Sequence, residues 1–134
     1  MALQLSTTLR NTILDAFTTA IGASALIRIY SGTPPASVAA ALGGNTLLAE
    51  LVANATFAPS ASNGVLTLNS IANDAAADAT GTATFFRIYK SDGSTCVLQG
   101  TVGTSEADLT VATTSFVANA VISIATFTIT APGA

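Results

Sequence analysis

The side chains able to do chemistry in this sequence are few. There is no histidine and a single cysteine, Cys96. Ser-His-Asp and Cys-His nucleophile arrangements are therefore impossible, as are zinc sites built on histidine or on clustered thiolates. Carboxylates remain. By spacing, Asp74 with Asp78 and Glu106 with Asp108 are the pairs that could share acid–base work or a calcium ion. Both pairs sit in segments that read as loops, with no aromatic residues around them and without the dense oxygen-ligand spacing of calcium loops. Solvated loop acids account for them better.

Neither GxxxxGK[ST] nor a strand-to-helix GxGxxG is present, and the one lysine, Lys90, falls at a hairpin edge. Cys96 lies between Thr95 and Val97, a strand context without an activating base, so it reads as a structural thiol. No catalytic residue, cofactor site or metal site is expected, and the chain reads as not an enzyme. The Asn54-Ala55-Thr56 sequon carries no weight without a secretory route.

The remaining candidate is an echo. Arg28-Ile29-Tyr30 recurs as Arg87-Ile88-Tyr89, preceded by Leu26-Ile27 and Phe85-Phe86. On a strand, Leu26, Arg28 and Tyr30 share one face and Ile27 and Ile29 the other, and the second copy divides in the same way. Arg28, Tyr30, Arg87 and Tyr89 are thus a possible contact face, being of the types in which binding energy concentrates. The simpler alternative is two neighbouring core strands with arginine stems and tyrosine rings laid over apolar surface.

The elements that must carry these residues follow from periodicity. Over 5–21, Leu9, Ile13, Leu14, Phe17 and Ile21 recur at helical spacing, with Ser6 to cap the start and Gly22 the end. Arg10, Asn11, Asp15 and Thr18 fall largely off that stripe, which predicts an amphipathic helix with one wet side. Ala25–Ser31 reads as a strand, Thr46–Ala53 as a strand buried on both faces in preference to a short helix, and Ser37–Leu42 as a short helical turn. Asn63-Gly64 suggests a hairpin over Thr56–Leu68, and Ile71–Thr80 reads as a loop or one helical turn. Asp92-Gly93, between Thr82–Lys90 and Ser94–Val102, is the strongest hairpin signal. Leu109–Val111 reads as a short strand and Ala120–Thr130 as a long one.

Together these segments predict one domain over 1–134, mainly β with an N-terminal α-helix (α+β). The expected architecture is an antiparallel β-sandwich or partly closed barrel over 25–130, with the helix packed against the sheet.

Composition narrows the partners. Half of the 134 residues are hydrophobic but only 8% are charged, against a usual charged share of roughly 25%. Much of the apolar character is small: there are 27 alanines, beside 21 threonines. A net charge of −3 without a basic patch speaks against nucleic acid. No stretch approaches the ~20 apolar residues of a membrane span. Ala23-Ser24-Ala25 imitates a signal-peptidase site, but Asp15, Thr18 and Thr19 interrupt the apolar run a leader would need, so secretion is not expected.

The order of features is also informative. Leu5-Ser6-Thr7-Thr8-Leu9-Arg10-Asn11 opens the helix and Leu26-Ile27-Arg28-Ile29-Tyr30-Ser31-Gly32 follows it. Then come Asn45-Thr46-Leu47-Leu48-Ala49-Glu50, Ala79-Thr80-Gly81-Thr82-Ala83 ahead of Phe86-Arg87-Ile88-Tyr89, and a final strand alternating Thr and Ser. Across most of the chain this order resembles a family of small virion structural proteins of tailed phages. The resemblance implies a capsid decoration, or cement, protein located in the virion and assembled in the host cytoplasm. Its implied partners are the major capsid protein and other copies of itself, as a homo-oligomer within an assembly. The alternatives are a neck or tail component, and a carbohydrate- or receptor-binding β-module, against which the absence of tryptophan counts.

Overall fold

The computed structural model describes residues 3–133. The protein is mainly β, with one N-terminal helix, α1 (Thr7–Ile21), and a curled mixed sheet that forms half a barrel. The strands are β1 (Leu26–Tyr30), β2 (Leu47–Val52), β3 (Val65–Thr67), β4 (Gly81–Thr82), β5 (Phe85–Tyr89), β6 (Cys96–Gly103), β7 (Leu109–Thr110), β8 (Ser115–Phe116) and β9 (Thr128–Thr130). The main sheet has the order β2-β1-β5-β6-β7, and the two-stranded ribbons β3-β9 and β4-β8 complete the body. All pairings are antiparallel except β6 with β7.

One face of the main sheet makes the core. Ile27 and Ile29 of β1, Leu48 and Leu51 of β2 and Phe86 and Ile88 of β5 meet Leu14 and Ile21 of the helix, Leu66 of β3, and Ile122, Ile124 and Phe127. The Phe86 and Phe127 rings meet edge to face at 5.3 Å, a favoured aromatic geometry.

The helix begins where expected. The Ser6 hydroxyl accepts from the Leu9 N–H at 3.1 Å, and Gly22, at φ +79°, ends it while donating to the Thr18 carbonyl. Its facing differs from the expected stripe. Leu9 is 46% exposed, whereas Arg10 is buried. The reason is polar: three side chains of the supposed wet side find backbone partners. Arg10 Nη2 donates to the Ala131 carbonyl (2.9 Å), Asn11 Oδ1 accepts from Gly64 N–H (2.8 Å) and Asp15 Oδ1 accepts from Ala61 N–H (2.7 Å). Together they clamp the 61–64 turn and residue 131 to the helix. Gly64 has to be glycine there, at φ +73° and with the Arg10 guanidinium lying against it, 2.4 Å from where a Cβ would stand.

The Asp92-Gly93 hairpin forms as expected. The Asn63-Gly64 turn also forms, with both residues at positive φ, but the longer hairpin does not. Only Ser62 pairs with Val65, and β3 takes β9 as its partner instead. Pro59 withholds a backbone donor from the preceding segment, which argues against a strand there. Ser37–Leu42 contains a single turn, with Ala40 N–H on the Ser37 carbonyl, rather than a helix. The long final strand is also split. Ile122 and Ile124 are buried, and the next buried residue is Phe127, so the two-residue alternation slips at Ala125-Thr126. Ile122 bridges Asp74, and only Thr128–Thr130 continue as strand.

Candidate contact surface

The sheet brings the two echo motifs side by side. In the antiparallel pairing of β1 with β5, Arg28 stands directly opposite Arg87, Leu26 opposite Tyr89 and Tyr30 opposite Phe85. All four candidate residues therefore share the sheet face that points away from the core.

Two guanidiniums facing each other across a ladder repel, and the structure separates them by turning each to its outer neighbour. Arg28 reaches Glu50 on β2, Nε to Oε2 at 2.6 Å, and donates from Nη1 to the Gly93 carbonyl at 2.9 Å. Its Cζ lies 4.7 Å from the centre of the Tyr89 ring, a cation–π distance. Burial works against the Arg28 charge, but the hydrogen bond and opposite charge of Glu50 outweigh it and hold its pKa above the ordinary value. Arg87 turns the other way. Its Nε donates to Gln99 Oε1 on β6 at 2.8 Å, and Nη2 donates to the carbonyls of Ser37 (3.1 Å) and Ala40 (2.8 Å).

The Ser37 and Ala40 carbonyls belong to the connection from β1 to β2. Residues 33–45 of this connection cross the Arg–Tyr face as a strap. Gln99 Nε2 donates to the Pro35 carbonyl at 2.8 Å, and Asn45 Nδ2 holds the carbonyls of Ser31 (3.0 Å) and Thr33 (2.9 Å). No strap residue is itself buried, so polar anchors rather than core packing hold it down. Beneath it Tyr30 stacks on Phe85 with ring centres 5.2 Å apart. Tyr30 and Arg87 are each 4% exposed and Tyr89 is 7% exposed, while the Arg28 side chain keeps 22% exposure. Burial, reinforced by the neighbouring Tyr89 hydroxyl, pushes the Tyr30 phenol up to about 12. Of the four candidates, Arg28 alone reaches solvent appreciably without movement of the strap.

The other chemically capable residues are occupied structurally. Asp74 Oδ2 accepts from Glu50 N–H (2.9 Å) and Oδ1 from Ala76 N–H (3.0 Å), which fixes the 72–78 segment along the outer edge of β2. Ala72 N–H on the Val52 carbonyl and Asp78 N–H on the Leu48 carbonyl complete that cover. Asp108 Oδ2 accepts from Thr101 N–H (2.9 Å) and from the Thr101 hydroxyl (3.1 Å). Asp74 and Asp108 each work alone as a backbone cap, while the side chains of Asp78 and Glu106 are exposed and share no hydrogen bond with them. Cys96 is half-buried, and burial raises its thiol pKa. Among the described residues no group of three His, Cys, Asp or Glu side chains could hold a metal ion.

No family model, curated protein or solved structure matches this chain. Its candidate surface therefore has to be judged on its own chemistry. Sequence reading missed Gln99, Asn45 and the strap as partners of the Arg–Tyr face. The prolines and glycines that bound the strap marked it only as a connection, with nothing to show which face it crosses.

Proposed function

We propose that this chain is a non-enzymatic structural protein of a phage virion, a capsid decoration protein that binds the outside of the shell and strengthens it. The supporting observation is the chemistry of its surface. Arg10, Arg28 and Arg87 are all engaged within the chain, and so are Asp15, Asp74, Asp92 and Asp108. Outward, beside the exposed charges of Asp78, Lys90 and Glu106, the protein presents mainly small neutral residues together with the exposed apolar side chains of Leu3, Leu9, Val38, Val52, Val117 and Val121. Such a surface suits docking onto a repetitive protein shell, where many copies bury apolar area that a free molecule would expose. The order of sequence features shared with small tailed-phage virion proteins points the same way.

The test is a particle-disruption assay on shells with and without the protein. Decorated shells are expected to withstand higher temperature or lower salt, and unchanged shell stability would refute the proposal. Counting copies per particle separates shell decoration, which needs many, from a neck or tail position, which needs few.

A further inference from the structure

Of the seven asparagines in this chain only Asn63 is followed by glycine. That pair has a chemistry of its own. Asparagine is thermolabile because the backbone nitrogen of the next residue can attack its side-chain amide, and glycine, with no Cβ, obstructs that attack least. In the first step the Gly64 nitrogen gives its proton to solvent base and bonds to Asn63 Cγ, while the Cγ–Nδ2 bond breaks and ammonia leaves. Water then opens the five-membered imide. Cleavage of the new N–Cγ bond leaves an ordinary aspartate, whereas cleavage of the original peptide bond leaves an isoaspartate whose main chain runs through Cβ and Cγ. Only water is consumed.

The fold blocks the first step in three ways. Asn63 is exposed, but Gly64 is buried against the Arg10 guanidinium, which lies 2.4 Å from where a Cβ would stand. The Gly64 N–H, which supplies the nucleophile, is engaged by Asn11 Oδ1 at 2.8 Å. The turn also fixes the angle of approach. Ser62 and Val65 exchange both of their backbone hydrogen bonds at 2.9 Å, and Asn63 and Gly64 have φ of +53° and +73°, as in a type I′ turn. Such a turn holds ψ of its first central residue at about +30°. That sets the Gly64 nitrogen nearly trans to the Asn63 Cβ across the Cα–C bond, whereas ring closure needs the two nearly eclipsed. The Gly64 carbonyl is anchored as well, by Ala131 N–H at 3.0 Å.

We infer that Asn63-Gly64 is a self-modification site held shut by the fold, with Asn11 as the positioning residue that keeps the Gly64 N–H from reacting. Deamidation then belongs to chains whose clamp has opened, and it runs one way. An isoaspartate adds a backbone carbon to a loop that fits two residues. Ser62 and Val65 then lose their register, and the turn's bonds to Asn11 and Asp15 cannot both re-form. Opening of the clamp is thereby converted into lasting damage to the chain.

The test is incubation of the full-length protein at mildly alkaline pH, folded and in guanidinium chloride, followed by peptide mass mapping and isoaspartate-specific methyl labelling. The unfolded chain is expected to convert at Asn63 before any other asparagine, and the folded chain to convert there at least roughly tenfold more slowly. Folded Asn11→Ala should react about tenfold faster than wild type, the change expected for losing one such hydrogen bond. Asn11→Asp, which keeps an acceptor oxygen, should stay near wild type. Arg87→Met, which loosens the fold away from the turn, should stay within about twofold, because local rather than global opening exposes Gly64. Hydrogen exchange on wild type needs no variant, and the Gly64 amide should be protected at least roughly tenfold. Conversion at another asparagine first overturns the site. Equal rates folded and unfolded, or an unprotected Gly64 amide, overturn the block. An unchanged rate in Asn11→Ala, or equal acceleration in Arg87→Met, overturns the role of Asn11. Recovery of the wild-type Tm by refolded isoaspartate-63 chains overturns the one-way step.

Discussion

Replacing Arg87 with methionine keeps the buried stem of the side chain and deletes the three hydrogen bonds that tie the sheet to the strap and to Gln99. Hydrogen bonds to a charged group contribute about 1.5–3 kcal/mol each when their partners are left stranded. Two of the three acceptors are carbonyls on a strap with no buried residue, so water can recover part of the loss once the strap lifts. The loss of a buried guanidinium also removes a desolvation cost. The net expectation for Arg87→Met is a destabilisation of about 2–4 kcal/mol. In a chain of this size that lowers Tm by roughly 10 °C. Urea denaturation gives the free energy, and native-state hydrogen exchange shows where it is lost. The Ala40 amide, which donates to the Ser37 carbonyl, should exchange much faster, while the amides of Ile27 and Ile29 in the core ladder keep the protection set by the remaining global stability. A loss below about 1 kcal/mol with unchanged strap exchange would refute the reasoning, because the strap would then be held by something other than its polar anchors.

Three further outcomes follow from the geometry. Gly64→Ala forces a side chain onto a residue at φ +73° and against the Arg10 guanidinium, and should cost roughly 2–4 kcal/mol by thermal or urea denaturation. Asp74→Ala removes the acceptor for Glu50 N–H and loosens the cover on β2; about 1–3 kcal/mol should be lost, and light scattering should show faster aggregation from the exposed edge. The pH dependence has two limbs. Asp92 is held at about 2 by the N–H groups of Thr95 and Ser94 and the Thr95 hydroxyl. Its folded value lies below its unfolded one, so its contribution is present above about pH 4 and is lost as pH falls toward 2; Asp92→Asn should flatten that part of a Tm-against-pH curve. Tyr30 is raised to about 12, so the folded state keeps a proton that the unfolded state releases, and stability should fall between pH 10 and 12. Phenolate absorbance followed with Tm checks this limb, which Tyr30→Phe should remove.

The fold class was legible because its signals are local. A capped 3.6-residue stripe, two runs of β-branched and aromatic residues and an Asp-Gly turn each imply their element without reference to the rest of the chain. Position-level detail was lost wherever a distant backbone decided the outcome. Arg10 looked like a surface residue because its acceptor, Ala131, is 121 positions away. Counting outward from a two-residue Asp92-Gly93 turn places Leu98 opposite Arg87, yet Gln99 stands there, because an irregularity between Ile88 and Tyr89 shifts the ladder by one. The echo correctly implied that its two copies run in comparable strands. It could not show that they lie in direct register, nor that the connection after β1 returns across them.

The bond from Arg10 to Ala131 also bears on how the chain is made. Helix α1 is synthesised more than a hundred residues before Ala131, but its clamp is assembled from residues 61–64 and 131, and β3, against which it lies, is completed by β9. Until residues 127–131 have been synthesised the helix has only part of its seat, and closing so long a loop is an entropic cost met before its contacts repay it. The helix is therefore expected to dock only after residues 127–131 have emerged, and folding to be slow, on the millisecond-to-second scale. During that wait the uncovered stripe of the helix and the open strand edges are the surfaces that host chaperones would encounter.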